Sequence, residues 1–541
     1  MEGFALDAYD YIIVGAGSAG CVIAGNLAAA AKTKILVLEA GPRDRSPWIH
    51  LPIGYGKTYY NPAVNWMYEA EPEPGLAGRK IYQPRGKVVG GSSSINAMVY
   101  SRGQAADYDG WAALGNHGWG WPDVLRLYRR MEDHDLGASA WHGAGGPLHV
   151  TDISKAVHPL TDLFIKAGRE AGLPFNPDLN GETTEGVGTY QITTRRGLRE
   201  SAARAYLYPA LKTGRVRLET ETLVTRVLFD GRRAIGVECR QHGQLKTFHA
   251  GAEIILCGGA INSPQILQLS GIGPGSLLAD HAIEVVAERP AVGRHFQDHL
   301  CYDHVYRSRL PSLNDDLLPL SGKIRVGLSY LLGRRGPLSL SVNQGGGFYR
   351  SRAGLDRPDI QLYFSPLSYE KAQPRVRALM KPDPFSGFST SVSPCRPLSR
   401  GHVAIRSADP AAAPKITANY LSAPEDIEIL LAGARFLCGL AETPTFRMLV
   451  DEELKPGGDR HSDAELIDDI RQRAYSVFHP SGTCRMGLDP DDCVVDPALQ
   501  VHGVAGLRVA DASIFPTVPS GNTGAPAMMV GEKASELILG R

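Results

Sequence analysis

Gly15, Gly17 and Gly20 stand in G-x-G-x-x-G spacing, with Glu39 about twenty residues on, the pattern that holds a dinucleotide. The three glycines serve a tight turn, a close approach of backbone to pyrophosphate, and close packing of helix on strand. Amides at the start of the following helix face the phosphates with the positive end of its dipole. A carboxylate at Glu39 accepts hydrogen bonds from both ribose hydroxyls of an adenosine and repels a 2′-phosphate. FAD or NAD therefore fits, and the loop alone does not choose between them. A second stretch with ligand chemistry is Gly90-Gly91-Ser92-Ser93-Ser94, whose amides and hydroxyls suit a phosphate or a ring edge. By itself it reads rather as a serine-rich helix cap.

These loops need elements to aim them. Residues 11–14 (YIIV) form a short apolar, β-branched run that reads as a buried strand, followed by an alanine-rich helix over 21–31 and a second strand over 34–38. Residues 42–80 read as an irregular excursion over the ligand. An apolar stretch over 95–100 reads as helical. Tyr108, Trp111, Trp119, Trp121 and Tyr128 read as helix-packing aromatics. Further helices are expected over 159–171 and 200–212, and strands over 215–219, 222–229, 234–240 and 253–256. A glycine turn at 257–260 and a helix over 263–269 follow. The middle of the chain, about 300–475, mixes strands (359–364, 402–406) with helices (424–437) and lacks a dinucleotide turn. It reads as the part that shapes a substrate cavity. A strand over 507–510, Asp511 and a helix over 527–539 return to the first texture.

At 541 residues the chain exceeds the size at which single cores keep growing, so two domains are expected. Lys+Arg and Asp+Glu both number 57, which leaves no net field to recruit nucleic acid or an anionic membrane. No apolar run is long enough to span a bilayer. Residues 1–10 are acidic and unlike a secretion signal. The eight cysteines are scattered without a C-x-x-C, as expected of reduced thiols in the cytoplasm, and no metal-ligand cluster stands out.

Five blocks together resemble the glucose-methanol-choline (GMC) oxidoreductases: Gly15 to Gly20 with Glu39; 86–109; 259–273 (GAINSPQILQLSGIG); 479–487 (HPSGTCRMG); and 509–529. The resemblance implies an α/β fold: a Rossmann-like FAD-binding domain with an interleaved α+β substrate domain on a mixed or antiparallel sheet. The expected division is 1–155, 213–310 and 480–541 for FAD, and 156–212 and 311–479 for substrate. It also resolves the cofactor as FAD. Gly15, Gly17, Ser18, Ala19, Gly20, Glu39 and Ala40 are implied to hold its ADP half, with Val224 packing by the adenine. Trp66, Gly86, Val88 and Gly91 are implied to bind the cofactor, and Ser92 with Asn96, Ala97, Met98 and Val99 to lie along the flavin. Asp511 and Ala512 reach the ribityl-pyrophosphate, while Asn522 and Thr523 approach the ring. Where some relatives attach flavin through a histidine, this chain has Asn96, so non-covalent FAD is expected.

The implied activity is oxidation of an alcohol to its aldehyde, with hydride passing to flavin N5 while a base takes the hydroxyl proton. His479 is the implied base, since a neutral imidazole accepts a proton near pH 7. Asn522 holds the substrate oxygen. The start of the helix at Ala527 would stabilise charge on the reduced ring. His299 reads as a structural hydrogen-bonding residue, and His502 and Cys484 as structural. Gln344 stands where choline-acting relatives carry an acid, which favours an uncharged primary alcohol over choline. The acceptor is O2 or a quinone or dye, and the protein a monomer or homodimer. The rival readings on this fold are a choline or amino-alcohol dehydrogenase, a hydroxynitrile lyase, a light-driven decarboxylase and a flavin-binding protein without catalysis.

Overall fold

The computed structural model describes residues 8–30, 32–370, 381–458 and 462–540. Strand β1 (Ala8–Val14) turns through the glycines into helix α1 (Ser18–Ala30) and strand β2 (Ile35–Leu38). Strand β3 (Val216–Glu219) pairs parallel with β2, which pairs parallel with β1. A meander of β4 (Thr222–Asp230), β5 (Arg233–Gln241) and β6 (Gln244–Leu256) follows. β6 has two roles along its length: 244–249 pairs antiparallel with β5, while 253–256 runs parallel beside β1. Leu507–Val509 closes the same sheet by pairing parallel with β6, so the C-terminal end of the chain returns to its start.

Helix α2 begins at Gly259, four residues earlier than the sequence suggests, and runs to Leu269 with Pro264 inside it. A proline there has no N–H to give the carbonyl of Ala260. Thr483 Oγ1 donates to that carbonyl instead, at 2.6 Å, which ties α2 to the 479–487 block.

The second layer is an antiparallel sheet. Strand β7 (Leu300–Ser308) pairs with Tyr475–Ser476 at its start. Helices α3 (Leu313–Leu317) and α4 (Leu320–Gly333) follow it. Strands β8 (Gly345–Tyr349), β9 (Ile360–Ser365) and β10 (Gly387–Pro394) complete the order β8-β9-β10-β7-β11, with β11 at Val450–Lys455. Helix α5 (Pro424–Ala441) packs on it through Leu430, Ala434 and Leu437. Helix α6 (Gly524–Leu539) then lies along α1. Each sheet has its own buried core. Trp111, Trp119, Tyr108 and Tyr128 are fully buried in the first.

Three local expectations are corrected. Residues 95–100 are not helical: a 3-10 turn (Gly91–Ser94) ends before them and Met98 has φ +63°. The expected helix over 200–212 is a π-turn (Ala203–Leu207) continued by one α-turn (Tyr208–Leu211). β6 is far longer than the 253–256 expected, because its first half is polar and pairs only at the meander. Ala31 and residues 1–7 lie outside the described residues, so the readings made there stand aside.

Candidate active site

A cavity of about 500 Å³ runs between the sheets from the Gly15 turn to His479. At one end the chain must come close to itself. Gly15 has φ +107°, and a Cβ there would sit 2.4 Å from the carbonyl oxygen of Cys257. Gly91 has φ +54°, and its Cβ would meet Gly17 Cα at 2.7 Å. The first and second glycine loops therefore touch, and a side chain at either position would drive backbone apart. Glu39 is buried beneath, its carboxylate accepting from Ala16 N at 3.0 Å and Gly41 N at 2.9 Å. Burial pushes its carboxyl up to about 7, against the pull of those amides.

Glu39, Ala40, Trp66, Gly86, Ser92, Asn96, Ala97, Met98, Val99 and Val224 all line the cavity with Gly15, Gly17, Ser18, Ala19 and Gly91. Asp511, Ala512, Asn522 and Thr523 line it from the C-terminal end of the chain. Two residues expected there do not. Gly20 lies under the first turn, where a Cβ would be 2.0 Å from the Gly15 carbonyl oxygen, so it serves packing. Val88 points away into a cluster with Ile49, Val64 and Ile95.

Asp511 reaches the wall with its carboxylate already engaged, accepting from Gly259 N, Ser263 Oγ and Ser513 N. It fastens the turn after β6 to the C-terminal strand. Asn96 accepts from Arg199 Nη1 at 2.7 Å and from Met98 N at 3.1 Å, which holds its amide still. Helix α6 starts at Gly524 rather than Ala527. Its cap residue Thr523 makes no side-chain cap, its first turn carries no acid, and Thr523, Gly524 and Ala527 line the cavity, so the helix starts at its wall.

At the other end sits a directed chain of hydrogen bonds. His299 Nε2 lies 2.9 Å from the carbonyl oxygen of Cys395, which can only accept, so that nitrogen carries the proton. His299 Nδ1 then accepts from His479 Nδ1–H at 2.9 Å. His479 Nε2 is left with a lone pair, towards which Asn522 Nδ2 donates at 3.2 Å. Gln361 fixes the amide of Asn522, its Nε2 donating to Asn522 Oδ1 at 3.1 Å, while Tyr363 Oη donates to Gln361 Oε1 at 2.6 Å. Burial, His299 and Arg85 together hold the His479 imidazolium pKa well below its ordinary value, so the ring is neutral at pH 7. Asp298 accepts from His479 N at 2.7 Å and fixes the backbone of the loop.

His299, expected as a structural hydrogen-bonding residue, has the His479 ring as its partner. Gln361 and Tyr363 escaped the sequence reading, although their alternation in an otherwise apolar strand was the available signal. Gln344, in contrast, has no place at the cavity: its Oε1 accepts from His158 N and Thr161 Oγ1. The substrate end is walled by Tyr55, Tyr363, Tyr369, Tyr475, Asn343 and Arg473. Among the described residues, no group of three His, Cys, Asp or Glu could hold a metal ion.

The donor set suits FAD: bare glycine backbone for a pyrophosphate, a buried carboxylate for a ribose, and an open helix start at the far end. Comparison with known proteins agrees. The GMC oxidoreductase family model matches in two parts, over residues 9–301 and 397–531. The chain is 42% identical over 539 residues to an alcohol dehydrogenase (acceptor) of Pseudomonas putida, covering 98% of this chain and 96% of that one. It is 43% identical over 544 residues to the mitochondrial choline dehydrogenase of Homo sapiens, covering 99% and 90%. The crystal structure of pyridoxine 4-oxidase from Mesorbium loti superposes with a TM-score of 0.89 at 29% identity, over 98% of this chain and 99% of that one. With likeness in sequence and fold running the length of the polypeptide, the chain belongs to the GMC oxidoreductase family, FAD-dependent enzymes that act on CH–OH donors.

Proposed function

We propose that this enzyme oxidises an uncharged primary alcohol, aliphatic or aromatic, to its aldehyde, with His479 as base and Asn522 as the group that holds the substrate oxygen. The observation that carries this reading is the unprotonated His479 Nε2 at the cavity wall, hydrogen-bonded by the Asn522 amide that a substrate hydroxyl would meet beside it. Bound FAD supplies the two-electron acceptor for the hydride. Asn522 Nδ2 donates to the substrate hydroxyl oxygen, and His479 Nε2 takes its proton. The positive charge that then forms on the imidazole is shared through Nδ1–H with His299. The buried, tyrosine-rich wall keeps water from the reacting oxygen.

Gly15, Gly17, Ser18 and Glu39 would hold the ADP and pyrophosphate, and Ser92 and Asn96 to Val99 with Thr523 the flavin. Asn96 cannot form the flavin bond that a histidine makes, which supports non-covalent attachment. The proposed division into an FAD domain (1–155, 213–310, 480–541) and a substrate domain (156–212, 311–479) is supported by the first sheet, whose strands all fall in the FAD segments, whereas β7 (Leu300–Ser308) of those segments pairs into the second sheet. The eight free cysteines support a reducing compartment, the cytoplasm. Among the described residues, no helix is long and apolar enough to cross a membrane.

Charge supports an uncharged substrate. The acids of the lining are Glu39 and Asp511, both at the dinucleotide end, whereas Arg85 and Arg473 face the substrate end. A choline reading draws on the same wall, since tyrosine faces attract a quaternary ammonium. An anaerobic panel of straight-chain alcohols, benzyl alcohol and choline, read as loss of the oxidised-flavin band, separates the two. Bleaching by choline alone would overturn the reading, as would cyanohydrin cleavage without bleaching.

A further inference from the structure

Helix α4 is built back to front. Its buried positions are Gly322 and Val326, while Leu320, Ile324, Leu328, Leu331 and Leu332 are 73%, 54%, 52%, 80% and 87% exposed. The first four recur at i, i+4, i+8 and i+11, a single stripe on a helix of 3.6 residues per turn. Surfaces carry single apolar residues routinely, but a contiguous stripe of long aliphatics marks an interaction site. The orientation is fixed. A Cβ on Gly322 would lie 2.5 Å from the Asp316 carbonyl oxygen, so the helix presses its smallest residue onto the end of α3. Tyr330 Oη donates to the Gly197 carbonyl at 2.8 Å and pins the other end.

The charge around the stripe has one sign. No acid occurs between Asp316 and Asp356, and Lys323, Arg325, Arg334 and Arg335 flank the leucines. Arg325 pairs with Asp316, while Lys323, Arg334 and Arg335 have no carboxylate partner among the described residues. The zero net charge of the whole chain conceals this local field.

We propose that α4 docks the enzyme on an anionic lipid surface, its leucines entering the acyl boundary and its cations reaching up to lipid phosphates. Leucines flanked by Lys and Arg on a short, non-spanning helix are the chemistry of an interfacial anchor. A second copy of the chain fits less well, because a two-fold contact through this stripe sets a basic patch against itself. The anchor also adjoins the cavity. Leu313 and Leu317 of α3 pack with Tyr55 and Tyr369, which line it. Docking therefore brings that wall to the phase in which apolar alcohols partition.

The test is flotation of the FAD-loaded enzyme with vesicles of equal parts phosphatidylglycerol and phosphatidylcholine, against phosphatidylcholine alone. The wild type is expected to float with the anionic vesicles and to be released by salt. L328S/L331S is expected to lower the bound fraction on the order of tenfold while dye-linked alcohol oxidation is retained. K323E/R335E is expected to lose the preference for anionic lipid. The proposal is overturned if the wild type stays with the soluble fraction, or if neither variant changes its binding. It is equally overturned if sedimentation shows a wild-type dimer that L328S/L331S converts to a monomer, which would assign the stripe to a second copy.

Discussion

His299 Nδ1 lies 2.9 Å from His479 Nδ1, and the Cys395 carbonyl on the far side of His299 decides which ring donates. The base is thereby held as the tautomer whose Nε2 is unprotonated. His299→Leu should lower kcat/KM by about 10- to 100-fold with FAD still bound, the range of one misplaced general base. His299→Gln, which can still accept from His479, should recover part of that loss. Equal rates in all three proteins would remove His299 from the positioning of the base.

His479→Ala should slow anaerobic flavin reduction by the alcohol by on the order of 100-fold or more, with the flavin spectrum retained. An unchanged rate would take His479 out of the chemistry.

Because burial, His299 and Arg85 hold the His479 pKa below its usual range, the acid limb of kcat/KM should fall well below pH 6.5. Activity is lost as pH drops and the ring gains a proton, so the profile should stay flat from neutrality downward until that point. Measured kcat/KM that halves near the ordinary imidazole value would show a solvated histidine instead.

Gln361 donates to Asn522 Oδ1 and so turns Nδ2 towards the base. Gln361→Met keeps the volume and removes the side-chain bonds to Asn522, Tyr190 and Tyr363. We expect kcat to fall roughly tenfold while KM changes little, the pattern of lost orientation. A rise in KM alone would make Gln361 a substrate-contact residue.

Glu39 gives a prediction with a definite sign. Its carboxyl is raised to about 7 in the folded apoprotein from an ordinary value of 4.5, so the folded state holds the extra proton between those values. The stability of the apoprotein should therefore fall as pH rises from 4.5 to about 7, by at most roughly 3 kcal/mol. Hydroxyl donors of a ribose favour the ionised form, so FAD should bind more tightly above pH 7 than below it. Thermal melts and FAD titrations across this range check both trends, and Glu39→Gln should flatten each one.

The dinucleotide turn was legible because its causes are local. Three glycines at fixed spacing, an apolar strand before them and an alanine-rich helix after them occupy one short window, and Gly15 needs its positive φ whatever follows. Boundaries were less legible where pairing decides them: the polar first half of β6 is a strand because β5 lies beside it. Residues 95–100 look helical by composition, yet Asn96 is held by Arg199, more than a hundred residues away, and Met98 takes a left-handed turn.

By itself the sequence determined the cofactor loop and the family, and singled out His479 and Asn522 as candidates. Only the tertiary structure decided that His299 and Gln361 stand behind them, across 180 and 161 residues of chain. It also turned Val88 and Gln344 away from the cavity and the leucines of α4 outward. Local geometry follows from neighbouring residue types, but which side chains meet, and which face solvent, is set by sheet register and helix packing summed over the whole fold.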